Sequence, residues 1–173
     1  MGMIIGTLYF VIFEFNSKRI LTYLSVIPLL CFPFVLNKTR FKMGDKEKLG
    51  YYIFVFLAQF LGSIVNLYNT TVWFDVLVHF CSGIFSFFVG LFIIDRINIE
   101  KCSLSVRVFL SFCVVMSIAS MWELFEFGAD SLLGMNLQHS IDTGVKDTMI
   151  DILVAFIGGL ISSVSYYFVK RDK

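Results

Sequence analysis

Charge is scarce in this chain: Asp, Glu, Lys and Arg make up 16% of its 173 residues, and the formal net charge is +1. A protein that follows a phosphate backbone concentrates Lys and Arg into a patch, so the near-neutral balance argues against a nucleic-acid partner. Cysteine is sparse as well. Cys31, Cys81, Cys102 and Cys113 lie in or beside apolar segments without CxxC spacing, which suggests neither a zinc ribbon nor a disulfide framework, and they read as small buried hydrophobes. Proline occurs twice, at Pro28 and Pro33. The N-terminus has neither the basic n-region nor the small-residue cleavage site of a signal peptide, so residues 1–15 are expected to remain in the mature protein.

Hydrocarbon is what the chain has in abundance. Apolar residues reach 58% and aromatics 17%, and the mean hydropathy is +0.83. Those values lie beyond the range of a soluble domain and predict an integral membrane protein. Six apolar runs follow one another, at about residues 3–15, 20–36, 49–67, 76–94, 104–127 and 149–169. A spanning helix needs roughly 17 to 25 residues, which the last five runs reach or approach, while the first is short. Both prolines fall inside the second run, where neighbouring helices can satisfy the freed carbonyls, so a continuous, kinked helix is expected there. Without linkers, repeats or low-complexity stretches, residues 1–173 are expected to form a single membrane domain: an all-α, polytopic transmembrane bundle of about six helices.

Lys and Arg orient such a bundle. If all six runs span, one face carries Lys38, Arg40, Lys42, Lys46, Lys48, Arg96, Lys101, Arg107, Lys170, Arg171 and Lys173, and the other only Lys18, Arg19 and Lys146. The positive-inside rule then places both termini and the loop from Lys38 to Lys48 in the cytoplasm. The basic loop from Lys38 to Lys48 serves as the topology determinant and touches anionic lipid.

Against this background the stretch "WELFEFGADSLLGMNLQHSIDTGVKDTMID" is anomalous, since it gathers six of the thirteen acidic residues: Glu123, Glu126, Asp130, Asp142, Asp147 and Asp151. The predicted topology puts them at the outer interface with Asn66, Asn69, Trp73, Asp75, His79 and Glu14. Asp75 and His79 are i, i+4 neighbours, as are Asp147 and Asp151, and Glu123 and Glu126 are i, i+3, so each helix offers a pair on one face. Ala155, Gly158 and Ser162 continue one of these faces, and Ser82, Ser86 and Gly90 another, with small side chains that allow close helix approach. Oxygen and imidazole donors converging in this way suit a hard or borderline divalent cation. Simpler roles exist for several of them. Asp147 fits an acid at a helix N-terminus, Asp142 with Thr143 and Gly144 fits a turn, and Trp73 and Trp122 fit an interfacial aromatic belt.

Four polar motifs, "WFDVLVHFCSG", "WELFEFGAD", "GMNLQ" and "DTMIDILVAFIGG", together resemble the YjdF-like family of bacterial inner-membrane proteins. The resemblance covers about residues 49–169 and matches the family's aromatic-Asp-x-x-x-His-x-x-Ser-Gly, Trp-Glu-x-x-Glu-x-x-x-Asp, Asn-x-Gln and Asp-Thr-Met-x-Asp elements in order; Leu137 stands where the family often has Met. It implies a polytopic envelope protein without an assigned activity. A looser similarity to VanZ-like proteins, with their His-, Glu- and Asp-bearing helices, carries no residue assignments.

Three functions fit these residues. The first is an outward-facing metalloenzyme in which His79, Glu123, Asp147 and Asp151 hold a divalent metal ion and Glu126 or Asp75 acts as general base or supporting partner. Its substrate would be amphiphilic, a phospholipid or a lipid-linked glycan, because the acids sit at headgroup depth. The second is a cation or proton carrier using the same acids. The third is an accessory membrane protein whose polar network fixes helix packing.

Overall fold

A computed structural model describes residues 2–13, 20–97, 102–134, 137–138 and 143–171. Glu14, Lys18, Arg19, Lys101, Asn136, Asp142 and Lys173, which carry parts of the sequence reading, lie outside the described residues. Helices are the regular structure of the described residues, with α1 at Gly2–Phe13, α2 at Ile20–Leu36, α3 at Asp45–Val55, a π-helix continuing α3 over Phe56–Ile64, α4 at Leu67–Thr70, α5 at Phe74–Arg96, α6 at Leu104–Leu133 and α7 at Lys146–Arg171. No strand occurs among the described residues, in keeping with the expected all-α class. Two compact units divide it, Met1–Asp75 and Val76–Lys173, and the boundary falls within the first turn of α5.

In the first unit the two prolines leave α2 unbroken. Pro33 has no N–H for the carbonyl of Leu29, four residues earlier, and a carbonyl left bare in an apolar setting is costly. The Tyr51 hydroxyl on α3 donates to that oxygen at 2.8 Å, and Tyr52 donates to the next carbonyl, Leu30, at 3.2 Å. A neighbouring helix thus supplies the missing donor, as the sequence suggested. Tyr51→Phe is expected to lower stability by about 1 to 3 kcal/mol, the cost of an orphaned buried acceptor. Thermal melts of the detergent-solubilised protein test this, and an unchanged midpoint would mean that another donor serves Leu29.

The π-helix was not legible from hydropathy. Its wider turn ends where Val65 N–H donates to Phe60 O, at 2.8 Å, and Asn66 then takes a left-handed φ of 75°. Gln59, in mid-turn, donates to Thr22 O (3.0 Å) and Ser25 Oγ (2.7 Å), tying the π-helix to α2 beside a core of Tyr23, Val26 and Ile64.

Among the described residues three helices, α5, α6 and α7, are long and apolar enough to cross a membrane. Their 23, 30 and 26 residues reach about 35, 45 and 39 Å at 1.5 Å per residue, against a hydrocarbon core of about 30 Å. Phe109, Met121, Leu124, Phe125 and Ile161 are exposed on them, a surface suited to lipid rather than water. Ser103 caps α6, its hydroxyl accepting from Val106 N–H, and Gly134 ends it with a left-handed φ of 64°. The α5–α6 hairpin is closed by an ion pair in which Arg107 Nη2 lies 2.5 Å from Asp95 Oδ1. Asp95 therefore has a specific partner across the hairpin.

Within the second unit Phe87, Leu91 and Val115 form an apolar core with Val108 and Tyr166. Elsewhere the helices meet backbone to backbone. A Cβ on Gly83 would overlap the carbonyl oxygen of Ala155, and a Cβ on Gly158 would overlap that of Phe80. Gly90 lies against Ser111 Cα in the same fashion. Ala155, Gly158 and Ser162 are all buried, so the small-residue face expected on the last helix is its packing face.

Candidate functional site

The first turns of α5 and the start of α7 carry the polar residues. A helical repeat of 3.6 places Asp75 and His79 on one side of α5, and Asp147 and Asp151 on one side of α7. His79 and Asp151 are 8% and 3% exposed, so both acidic and imidazole groups lie inside the protein. Asp151 Oδ2 is 3.9 Å from His79 Nε2. One donor atom from each of Asp75, His79 and Asp151 can be chosen so that all lie within 4.8 Å of one another.

That separation has a structural cause. Gly83 follows His79 by four residues and Ala155 follows Asp151 by four, and it is at Gly83 and Ala155 that the two backbones touch. The contact sits one turn along the same faces and sets how far apart the imidazole and carboxylate stand. At 3.9 Å they are beyond a direct hydrogen bond. Two ligands of one ion, each at about 2.0 to 2.6 Å, can be separated by up to about 4 to 5 Å, so an ion fits between the groups. One imidazole with two carboxylates favours borderline to hard divalent ions over soft ones.

The remaining predicted residues are placed differently. Glu123 is buried on α6 at 5% exposure, while Glu126, three residues on, is half-buried and accepts a hydrogen bond from Trp122 Nε1 at 2.9 Å. Asp147 is half-buried in the first turn of α7. Among the described residues, the three-donor group therefore comprises Asp75, His79 and Asp151, and Glu123, Glu126 and Asp147 stand outside it. Asp75, read from sequence as a base or supporting partner, joins the donor group itself.

Three residues that sequence reasoning left without a role organise the approach between α6 and α7. The Asp130 carboxylate accepts from the backbone N–H of Leu137 (2.7 Å) and of Gln138 (3.0 Å), holding these two residues against the end of α6. Gln138 Nε2 then donates to the Glu123 carbonyl (3.3 Å) and to Thr148 Oγ1 (3.1 Å), bridging the two helices beside the buried acids. The signal in the sequence was the Gln of "GMNLQ" between two long apolar helices, a residue type that crosses helices when it is not solvated.

An uncharacterized protein of Thermotoga maritima is 25% identical to this chain over 131 residues, which is 73% of this chain and 65% of that protein, so the chain spans less than two thirds of its relative's length. No solved structure matches the chain. Residues 1–172 match the family described as "Predicted membrane protein (DUF2238)", and the chain belongs to that family.

Proposed function

We propose that this membrane protein binds a divalent cation through Asp75, His79 and Asp151, and that the ion supports an enzymatic step on a lipid or lipid-linked substrate. The observation that carries the reading is the convergence of the three donors from two helices within 4.8 Å, with two of them almost fully buried. Carboxylates are expensive to keep within membrane-spanning helices, and a cation offsets that cost. A bound divalent ion would polarise a phosphoryl or carbonyl oxygen and make a bound water more acidic. Asp75, His79 and Asp151 would fix the ion. The buried Glu123 on α6 is the remaining carboxylate suited to take the proton.

The same reading places the site toward the outer face of a bacterial inner membrane, with both termini cytoplasmic, the whole chain acting as one membrane domain and the family being the YjdF-like group that its motifs resemble. Support comes from the distribution of Lys and Arg and from the order of the four polar motifs. Elemental analysis of the purified protein tests the cation. About one divalent ion per chain is expected in the wild type, and less than about a tenth of that in His79→Ala, because loss of one ligand in three weakens binding by more than the 10- to 100-fold typical of supporting residues. A wild-type protein free of metal, whose melting is indifferent to added divalent ions, would sink the proposal and leave the polar group as a packing device.

A further inference from the structure

Between α6 and α7 lies an open cleft of about 560 Å³, within the range of about 300 to 1,000 Å³ usual for small-molecule sites. Ser120, Glu123, Leu124 and Phe127 line it from α6, Thr148 and Ile152 line it from α7, and Gln138 lines it from the loop between them. Its walls change character with depth. Leu124 and Phe127 are 68% and 59% exposed on the lipid-suited surface, whereas Glu123 is 5% exposed. A cleft that passes from hydrocarbon at its rim to hydroxyl, amide and carboxylate within is shaped for an amphiphile.

Its charge narrows the amphiphile further. Among the described residues that line it, the one ionisable side chain is the Glu123 carboxylate. An anionic headgroup there would meet a like charge in a medium of low dielectric. A hydroxyl-bearing head would instead donate to the carboxylate, a charge-assisted bond, while the Thr148 hydroxyl, which already accepts from Gln138 Nε2, keeps a proton to donate to the head. We propose that the cleft binds the hydroxyl-bearing head of a neutral membrane lipid, its hydroxyls donating to Glu123 and its chain lying along Leu124, Phe127 and Ile152. Thr148 precedes Asp151 by three residues on α7, so the bound head lies within one helical turn of the cation group. The inference supplies a substrate class for that site and, in this respect, rests on the preceding reading.

Photolabelling tests it with the full chain in phosphatidylcholine nanodiscs. The probes are a diacylglycerol and a phosphatidylcholine, each with a photoactivatable diazirine in one chain, applied with Mn²⁺ or with EDTA. Cross-links from the diacylglycerol should concentrate on Leu124, Phe127 and Ile152 and exceed those from phosphatidylcholine at least about fivefold, equivalent to roughly 1 kcal/mol of preference. Glu123→Gln should bring the ratio close to one while the chain still labels the cleft. Leu124→Trp, at an exposed position that tolerates the larger ring, should fill the cleft and remove labelling of Phe127 at an unchanged melting midpoint. Equal labelling by the two lipids, or labels spread evenly to Phe109 and Ile161, overturns the inference, and so does a cationic amine lipid that outcompetes diacylglycerol. Selective labelling that survives in EDTA and in His79→Ala upholds the cleft even if no metal binds. Normal metal binding without selectivity removes the cleft alone.

Discussion

Gly83→Val is expected to destabilise the protein by about 3 kcal/mol or more and to abolish cation binding in the same step. Gly83 is buried, and the first atom added to it would overlap the carbonyl oxygen of Ala155. That neighbour is backbone and has no rotamer to change, so the only relief is to move α5 away from α7. In lipid, helices are held together mainly by van der Waals contact and hydrogen bonds, because the tails are as apolar as leucine, so a forced separation has little to offset it. His79 and Asp151 lie one turn from the clash on the same two helices, and their 3.9 Å spacing would open beyond the reach of one ion. Gly128→Ala is the matched control: nothing lies within 4 Å of its added Cβ, so removing a helical glycine should stabilise by about 0.5 to 1 kcal/mol. Thermal melts with divalent-ion titrations of both variants make the comparison. A Gly83→Val protein that melts and titrates like wild type would show that the backbone contact does not set the site.

Helix positions were largely legible because the bilayer imposes length and polarity together. The run at 20–36 coincides with α2, and the runs at 76–94 and 149–169 fall within α5 and α7. Departures occur where hydropathy and hydrogen bonding part company. α6 continues past Phe127 to Leu133 because Glu126 and Asp130 remain helical while being polar. In the third run the chain changes from α to π at Phe56 and stops at Ile64. A shift from i+4 to i+5 bonding leaves the apolar content untouched, so no hydropathy count can detect it.

The candidate site was legible in its ingredients and less so in its grouping. Spacing alone placed Asp75 with His79 and Asp147 with Asp151, since one helix fixes each pair. Which pairs face each other depends on contacts between helices, and those are set by Gly83, Ala155 and Gly158, residues that announce close approach but not its partner. Glu123 and Glu126 illustrate the difficulty. Residues three apart point about 60° from each other, and the buried stripe on α6 is narrow, comprising Ser111, Val115, Ala119 and Glu123 at successive four-residue steps. It takes in Glu123 and leaves Glu126 to the indole N–H of Trp122, which sequence had assigned to the aromatic belt alone.

Asp151→Asn separates a cation site from a packing network by the sign of its effect. Asp75 and Asp151 contribute carboxylate oxygens to one group, with His79 as the third donor. If the group exists to bind a cation, chelation leaves two like charges close together in a poorly solvated place, and neutralising one of them relieves repulsion. In EDTA the variant should then melt no lower than wild type. With Mn²⁺ at a hundred times its dissociation constant, wild type should gain about 2.7 kcal/mol, which the variant forgoes as its affinity falls more than about 100-fold. A packing network predicts the opposite order. There the Asp151 carboxylate is needed by His79, so its loss lowers the midpoint in EDTA by breaking a buried pair worth about 3 to 5 kcal/mol, and Mn²⁺ moves neither protein. A metal site tolerates the loss of a carboxylate only while it is empty, and a structural pair tolerates it in neither condition. The crossing of the two melting orders between EDTA and Mn²⁺ is therefore the result that a packing role cannot produce.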